Sequence, residues 1–292
     1  IDVGVGVGYG LQLADMNGDG KTDIVLVDKD KVAWYQNPSW KKHQVSGHLT
    51  QRDHVCVTAR DIDGDGKAEL AVGAQWNPGD TVNSGAVFYL SPTPDRSGNW
   101  NAVKLHHEPT THRMHWVKNP QGKFDLVVKP LYGRGNKGGR GEPLKMHAYH
   151  LPKNLEKEEW KLSLVSEFLH NSHNFHPVNW DKDKEEELLV TGVEGTWLLD
   201  RKKDMIITGG ENVYSSEVEA ALYQHPGVNE AAVVGVPDDK YGEALFAVIV
   251  PAPGANPTED EIIAHCRERI GGYKIPRRMA FIDEMPKSAM GK

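Results

Sequence analysis

Residues 15–23 read DMNGDGKTD and are followed at residues 24–27 by the apolar run IVLV. The pattern returns at residues 61–69, which read DIDGDGKAE and precede LAVG. In both copies an oxygen-bearing side chain stands at positions 1, 3, 5 and 9 of a nine-residue loop, and glycine at position 6 allows a tight turn. Short apolar runs flank each loop, so each loop is predicted to join two strands.

Two weaker copies extend the repeat. Residues 179–187 read NWDKDKEEE and precede LLVT, and a fourth copy ends at Asp125, before LVV. The closing acids of the four copies lie 46, 56 and 62 residues apart, at Asp23, Glu69, Asp125 and Glu187. A period of this size with about four strands is typical of β-propeller blades. Residues 1–197 are therefore predicted to form an all-β propeller with about four blade-like units.

The same loops predict cation sites. Carboxylate and amide oxygens in this spacing suit Ca²⁺, and we expect structural Ca²⁺ in the first two loops. In the third copy Asn179 replaces the first acid and Lys184 replaces the glycine, and the fourth copy has lost nearly all its ligands. The alternative is that the loops are solvated acidic turns without metal. The predicted ligands are Asp15, Asn17, Asp19, Asp23, Asp61, Asp63, Asp65, Glu69, Asp181, Asp183 and Glu187.

On these loops, residues 1–197 resemble the FG-GAP/VCBS propeller repeats. The resemblance implies a propeller whose blades surround a central channel. Four-bladed propellers exist, but this repeat family usually closes with more blades. A partial ring is therefore an alternative to a closed four-bladed one.

Histidines recur near the predicted first strand of the blades. Residues 52–55 read RDHV, residues 112–116 HRMHW and residues 170–176 HNSHNFH. The first strand of a propeller blade is innermost, so we expect these histidines to converge at one mouth of the channel. There they would bind a second metal or act as acid and base. The five predicted site histidines are His54, His112, His115, His173 and His176. The alternative is that they cap strands or pack in the channel lining.

Arg134 and His147 follow on loops that are predicted to join this site, and glycines around Arg134 favour a long flexible loop. Residues 52–56, 112–116 and 131–136 resemble the propeller part of aldos-2-ulose/anhydrofructose dehydratase-type proteins. The resemblance implies a small carbohydrate ligand and a lyase reaction of the sugar-dehydratase type. In that reaction a histidine takes a proton beside a carbonyl, and a cation or arginine stabilises the enolate.

From about residue 198 the pattern changes to that of a small α+β domain, residues 198–292. Capping boxes at Ser216–Glu219 and at Thr258–Glu261 predict the starts of two helices. Residues 208–212 read TGGEN, and residues 286–292 read PKSAMGK. These two motifs resemble the C-terminal domain of adenylate-forming acyl-CoA synthetases.

That resemblance implies roles for six residues. Arg201 and Lys203 fall in the hinge motif, and Lys292 falls on the lysine of the adenylation half-reaction. The loop that lines the pantetheine tunnel corresponds to Gly209, Gly210 and Glu211. The family binds ATP in its large N-terminal domain, which these residues do not contain. We therefore expect AMP and CoA chemistry only if a partner supplies that domain.

Composition excludes some functions. The formal net charge is −7 and no Lys/Arg run suggests a nucleic-acid-binding surface, so no nucleic-acid partner is expected. No apolar stretch approaches the ~20 residues of a membrane span, so no membrane partner is expected. Cys56 and Cys266 fall in separate predicted domains, which argues against a disulfide framework. Calcium loops favour an extracellular or periplasmic location and the synthetase-like part a cytoplasmic one, so localisation stays open.

The main hypothesis is a calcium-stabilised propeller with a His-lined axial site for carbohydrate binding or dehydration, fused to a synthetase lid without its ATP-binding partner. One alternative is part of an AMP-forming acyl-CoA ligase that another chain completes. A further alternative is a non-enzymatic binding scaffold. Because residues 188–201 pass from one pattern to the next without a Pro/Gly/Ser linker, an artificial chimera is also considered.

Overall fold

Antiparallel sheets follow one another along the first part of the chain. The computed structural model describes residues 2–200 and 205–285, and the chain divides into two units, residues 1–198 and 199–292. In the first sheet the order is that of the sequence: β1 (Gly10–Ala14), β2 (Asp23–Asp28), β3 (Lys31–Gln36) and β4 (Lys41–Ser46). Pairing of β1 with β2 ends at Ala14 and Asp23, so the first acidic loop connects the two strands.

Two further sheets repeat this arrangement of four strands. The second contains β5 (Cys56–Arg60), β6 (Glu69–Ala74), β7 (Ala86–Ser91) and β8 (Asn101–Leu105). The third contains β9 (Thr111–Lys118), β10 (Phe124–Pro130), β11 (Met146–His150) and β12 (Lys161–Ser166). The fourth has three strands, β13 (Asn174–Val178), β14 (Glu187–Gly192) and β15 (Gly195–Leu199).

Neighbouring sheets pack face to face through apolar cores. Val25 and Val27 of the first sheet pack in one cluster with Leu70 and Val72 of the second. A second cluster joins the second sheet to the third and includes Trp116. The first strands contact one another in sequence, β1 with β5, β5 with β9 and β9 with β13. These strands are therefore the inner strands of a propeller-like unit, as the repeat predicts.

The second unit is a mixed sheet with two helices. Its strands are β16 (Met205–Thr208), β17 (Glu211–Tyr214), β18 (Val228–Asp238), β19 (Gly242–Pro251) and β20 (Arg278–Phe281). The sheet order is β17-β16-β19-β18, and β20 pairs parallel to β19. The helices are α1 (Ser215–Tyr223) and α2 (Glu259–Arg267), and a 3₁₀ turn covers Gly272–Lys274. This is the small α+β domain that the sequence predicts.

The two predicted helix starts have different outcomes. Thr258 caps α2 with the predicted capping box, because its side chain accepts from Glu261 N and Glu261 bonds back to Thr258 N. The box predicted at Ser216 is wrong. The chain passes directly from β17 into α1, so Tyr214 is the N-cap, without a side-chain cap bond, and Ser216 is already helical.

A buried ion pair fixes α1 to the 3₁₀ turn. Lys274 Nζ lies 2.7 and 2.8 Å from the two carboxylate oxygens of Glu217, and both residues are buried. Cys56 and Cys266 are free and buried in different units. Neither helix in the described residues combines the length and the apolarity that crossing a bilayer requires.

Candidate functional site

The inner strands of the first unit border an open cavity of about 650 Å³. All four sheets contribute to its wall, through the first strands or residues beside them. Its polar lining residues include Tyr9, Gln12, Arg60, Arg113, His115, Asn174, His176 and Glu186. A concave surface therefore lies along the first strands, and the polar groups on it can hydrogen-bond to a polar ligand.

Arg113 and His115 both reach this cavity because side chains two residues apart lie on one face of a strand. Both are partly exposed, whereas Met114 between them is buried. The His115 ring centroid lies 4.9 Å from that of Phe175 and 5.7 Å from that of His176. Burial, helped by His176 and Arg113, lowers the pKa of His115 to about 4. Its imidazole is therefore neutral at pH 7 and offers one acceptor and one donor.

Two arginines line the cavity, and they differ in whether a carboxylate compensates their charge. Arg60 donates two hydrogen bonds to Glu186, of 2.8 and 3.0 Å, which compensate its charge. Arg113 donates to the main-chain oxygen of His112 at 2.8 Å. Within residues 2–200 and 205–285, no carboxylate lies within 4.0 Å of the Arg113 guanidinium. Arg113 therefore brings an uncompensated positive charge to the wall of the cavity.

His112 lies on the opposite face of β9 from His115, three residues away. Its ring stacks on Trp76 at a centroid distance of 4.8 Å, and its Nε2 lies 3.3 Å from Nε2 of His173. Burial is the largest cause that lowers the pKa of His112 to about 3. The predicted single cluster is therefore two pairs, His112 with His173 and His115 with His176, because strand positions three apart point to opposite faces.

His54 does not line the cavity. It is fully buried, and its Nε2 accepts a hydrogen bond from the main chain of Leu49 at 3.1 Å. His54 stands seven residues before Asp61, the first residue of its loop, whereas His112 stands five residues before the equivalent Val117. The expected convergence fails for His54 because its register differs, and it lies before β5 rather than within it.

Arg134 also lies outside the cavity lining. Its Nη1 donates to the main-chain oxygen of Val82 at 2.9 Å, and its Nη2 lies 3.9 Å from a carboxylate oxygen of Glu108. Among the described residues, sets of three potential metal-ligand atoms within 4.8 Å of one another occur in two acidic loops and at His106, Glu108 and His147. The axial histidines are not part of these sets.

The first two acidic loops have matching hydrogen bonds. Asp15 and Asp61 accept the main-chain N–H groups of the glycines at positions 4 and 6, over 2.7 to 3.0 Å. The closing acids Asp23 and Glu69 accept the N–H of loop position 2, at 2.9 and 3.2 Å. Burial acts to raise the pKa of Asp15, but the N–H donors outweigh it and lower that pKa. In the second loop, oxygens of Asp61, Asp63 and Glu69 lie within 4.8 Å of one another.

The predicted ligands at positions 3 and 5 belong to the same turn. Asn17 and Asp63 accept the N–H of position 5, at 3.1 and 3.0 Å. Asp19 and Asp65 accept the N–H of position 7, at 2.9 and 2.8 Å. Each loop therefore has a fixed shape in which its oxygens are held by main-chain donors.

The third loop keeps this shape despite its substitutions. Glu187 accepts the N–H of Trp180 at 2.6 Å, as the closing acids of the first two loops do. Lys182, at position 4, has φ 66°, the conformation that glycine adopts in the other loops. Asp181, Asp183 and Glu187 bring oxygens within 4.8 Å of one another. Glu187 Oε1 is buried and has no hydrogen-bond partner within the described part of the chain.

The fourth loop replaces the acid at its start with an amide network. Asn119 Oδ1 accepts the N–H groups of Gln121 and Lys123, at 3.1 and 3.0 Å. Its Nδ2 donates to the closing acid Asp125 at 3.2 Å. The side chain of Asn119 thus holds both the turn of this loop and its closing acid.

In the second unit, Gly209 and Gly210 form the turn between β16 and β17, with φ 61° and 86°. Gly209 N donates to the main-chain oxygen of Tyr241 at 2.8 Å. Glu211 begins β17 and is exposed. The other predicted residues of this unit, Arg201, Lys203 and Lys292, lie outside the described residues. The structure therefore shows the turn of the predicted CoA-related loop but not the predicted hinge or adenylation lysine.

Sequence reasoning did not select Arg113, Asn174 or Glu186. Arg113 stands two residues before His115, so strand alternation would have placed both on one face once β9 was assigned. Asn174 stands two residues before His176 and follows the same rule. Glu186 lies in the third acidic loop, and its contact with Arg60, 126 positions away, has no local signal in the sequence.

Three family models match parts of the chain. An FG-GAP-like repeat matches residues 15–72, an FG-GAP repeat matches residues 57–90, and the AMP-binding enzyme C-terminal domain matches residues 217–292. The two FG-GAP matches fall on the first two sheets. The third match begins within α1 and includes β18, β19, α2 and β20 of the second unit.

Curated relatives are similar over a short stretch. A feruloyl-CoA synthase of Amycolatopsis sp is 50% identical over 83 residues, 28% of this chain and 17% of that protein. A 2-succinylbenzoate–CoA ligase of Geobacillus kaustophilus is 48% identical over 96 residues, 33% of this chain and 20% of that protein. A solved mutant of an amide bond synthetase from Marinactinospora thermotolerans is 40% identical, with a TM-score of 0.30, over 36% of this chain and 22% of that one.

The chain thus spans about a fifth or less of the length of these curated relatives. It carries FG-GAP repeats in its first unit and an AMP-binding enzyme C-terminal domain in its second.

Proposed function

We propose that the first unit is a calcium-stabilised module that binds a carbohydrate in its axial cavity. The volume of about 650 Å³ falls within the range of small-ligand pockets and suits a sugar. The observation that carries the proposal is that Arg113, His115 and His176 all line this cavity. These groups are the donors and acceptors that a ligand rich in hydroxyl and carbonyl oxygens needs.

Each group has a distinct part in binding. Arg113 donates to a carbonyl or other negatively polarised oxygen, since its charge is uncompensated within the described residues. His115, neutral at pH 7, exchanges hydrogen bonds with hydroxyl groups. Leu11 and Leu13 line the same cavity and are 57% and 61% exposed. They supply apolar contacts for the C–H groups of a sugar ring.

The resemblance to sugar dehydratases adds a reaction to this binding site. A base removes the proton next to a ketone, and the C–H electron pair forms an enolate whose oxygen Arg113 stabilises. The enolate then re-forms the ketone and a carbon–carbon double bond as the hydroxyl group on the next carbon departs, and this group takes the proton that the base removed and leaves as water. His176 is the base in this proposal because it is exposed on the cavity wall.

Calcium in the acidic loops is the second element of the proposal. The oxygens of Asp61, Asp63 and Glu69 lie close enough to share one cation. Oxygen ligands of this kind suit Ca²⁺ better than a softer metal. The buried, unpartnered Glu187 Oε1 supports a cation in the third loop as well. A bound ion would stabilise the loops between the inner strands and their neighbours.

Titration calorimetry tests the site. The affinities of a panel of keto-sugars are measured on the full chain with Ca²⁺ present. We expect Arg113→Gln and His115→Gln to weaken binding at least tenfold. His173→Ala is the matched control, since His173 pairs with His112 on the other face and should leave affinity unchanged. Equal affinities for all variants would refute the axial site.

Mass spectrometry of the same mixtures tests the reaction. A product lighter by one water that His176→Ala abolishes supports dehydration. Binding without any such product leaves a non-enzymatic carbohydrate-binding scaffold and refutes the lyase step.

A second function follows from the match over residues 217–292. We propose that the second unit serves as the lid of an AMP-forming acyl-CoA ligase whose ATP-binding domain another chain supplies. ATP–pyrophosphate exchange with a panel of carboxylic acids tests this. We expect no exchange from this chain alone and exchange after addition of a large acyl-CoA synthetase domain that lacks its own C-terminal domain. Exchange by the chain alone, or none with the added domain, would contradict the proposal.

A further inference from the structure

A second group of imidazoles lies outside the axial cavity, between the second and third sheets. Ligand atoms of His106, Glu108 and His147 all lie within 4.8 Å of one another. His106 Nε2 is 3.7 Å from Glu108 Oε1. The rings of His106 and His147 are 5.8 Å apart and nearly perpendicular, at 84°. Two nitrogen ligands and one carboxylate therefore point at a common volume.

Contacts outside this volume hold the three positions. The main-chain oxygen of His106 accepts from the buried Tyr149 hydroxyl at 2.9 Å. The main-chain oxygen of Glu108 accepts from the Thr111 hydroxyl at 2.8 Å. His147 lies on β11, an interior strand of the third sheet that pairs with β10 and β12. The main-chain positions of the three ligands are thus held by contacts of their own, so that only side chains need to move when a metal binds.

Arg134 orients the carboxylate of this group. Its Nη2 lies 3.9 Å from Glu108 Oε2, whereas Glu108 Oε1 faces His106. An outer contact of this kind leaves one oxygen directed at the two imidazoles. Outer contacts to the carboxylate are a regular feature of metal sites, because they hold the ligand in its binding orientation.

The ligand types select the metal. Ca²⁺ takes oxygen ligands, whereas two imidazoles with one carboxylate suit Zn²⁺ and leave a fourth position open. Ligand atoms on a tetrahedral Zn²⁺ lie about 3.3 Å apart. The group must therefore contract from its 4.8 Å limit, and the His106 side chain, 50% exposed, has room to turn. We propose that His106, Glu108 and His147 form a Zn²⁺ site. It is separate from the acidic loops and does not depend on the carbohydrate proposal.

Calorimetry with Zn²⁺ on the full chain, in excess Ca²⁺ to fill the acidic loops, tests this site. We expect one strong Zn²⁺ site per chain. His147→Ala, His106→Ala and Glu108→Gln should each weaken it at least tenfold. His107→Ala is the matched control, because His107 is the next residue in sequence but is not in the ligand group. Thermal melts of each variant in EDTA verify that the first unit remains folded.

The axial histidines are the main competitor for Zn²⁺. The double variant His115→Gln/His176→Gln should keep the strong site if the inference is right. Co²⁺ substitution gives a readout besides affinity, since its visible absorption bands should disappear in His147→Ala and persist in the double variant. Equal Zn²⁺ affinity in the wild type and all three ligand variants, or loss of the site in the double variant alone, would overturn the inference.

Discussion

The two units differ in how they arrange their charged groups. In the first, the uncompensated Arg113 and the neutral His115 face a cavity that four sheets border within that unit. In the second, Glu217 and Lys274 are buried against each other, and the turn at Gly209 and Gly210 is exposed. Charge in the first unit is available to a ligand, whereas the buried charge in the second holds the fold. The first unit thus has a concave surface lined by charged and polar groups, while the roles predicted for the second unit require the surface of another domain.

Removal of Lys274 is the strongest test of the structural role of charge in the second unit. Lys274→Met removes the ammonium group that contacts both carboxylate oxygens of the buried Glu217, and loss of one member of such a pair costs about 3–5 kcal/mol. We expect that loss in the unfolding transition of the second unit, measured in urea. The double variant Glu217→Leu/Lys274→Met should recover much of it. Equal losses for the single and double variants would show that the ion pair is not the cause.

Calcium removal is the next largest test, because it should change the thermal stability of the first unit and not that of the second. A ligand that binds only the folded state at a concentration of 100 Kd stabilises it by about 2.7 kcal/mol. Chelation should therefore lower the Tm of the first unit and leave that of the second unchanged, by scanning calorimetry. Asp61→Asn combined with Asp63→Asn should reduce the shift. An unchanged Tm on chelation, or equal shifts in both units, would contradict structural calcium.

Acid should weaken the first unit through the partly buried imidazole of His115. The folded-state pKa of His115 is lowered to about 4, whereas its unfolded value is 6.5. The unfolded state therefore binds a proton first as the pH falls, and stability declines between pH 6.5 and about 4. At most about 1.4 kcal/mol is lost per pH unit within this window. The free energy of unfolding is measured in urea at each pH for the wild type and for His115→Gln, and the difference between the two isolates this effect. A difference independent of pH would contradict it.

The smallest expected effect is in the third acidic loop. Lys182 has a positive φ, which costs a residue with a Cβ about 1 kcal/mol relative to glycine. Lys182→Gly should therefore stabilise the first unit by up to that amount. Lys184→Gly is the control, because Lys184 is not among the residues with positive φ and should gain no stability. Equal gains for both variants would show that backbone strain is not the source.

The sequence predicts most of the architecture because loops and strands are local. The acidic loops at residues 15–23 and 61–69 predict the strand pairs that flank them, and the Thr258 box predicts the start of α2. The box at Ser216 failed because an uninterrupted chain from β17 fixes where α1 begins. The spacing of residues in a local motif thus predicts the presence of a helix or strand. It does not predict the first residue of a helix when the preceding strand continues directly into that helix.

The candidate site is less predictable. Position along the chain brings His112 and His115 to the same strand, but their three-residue separation sends them to opposite faces. The bidentate contact of Arg60 with Glu186 joins β5 to the third acidic loop and depends on the packing of sheets. No pattern of neighbouring residues encodes such a contact. For this reason the histidine motif located the inner strands but did not identify which side chains share a surface.

The main-chain hydrogen bonds within the acidic loops define the loop shape independently of the proposed ion. In three loops a main-chain donor at position 2 anchors the closing acid, and in the fourth the Asn119 amide takes over that task. The side chains at the predicted ligand positions can therefore be substituted in one loop at a time, while the hairpin that carries the loop is retained. If the proposed ions bind, the ion affinity of each loop could be adjusted separately while the strands that carry the loops stay the same.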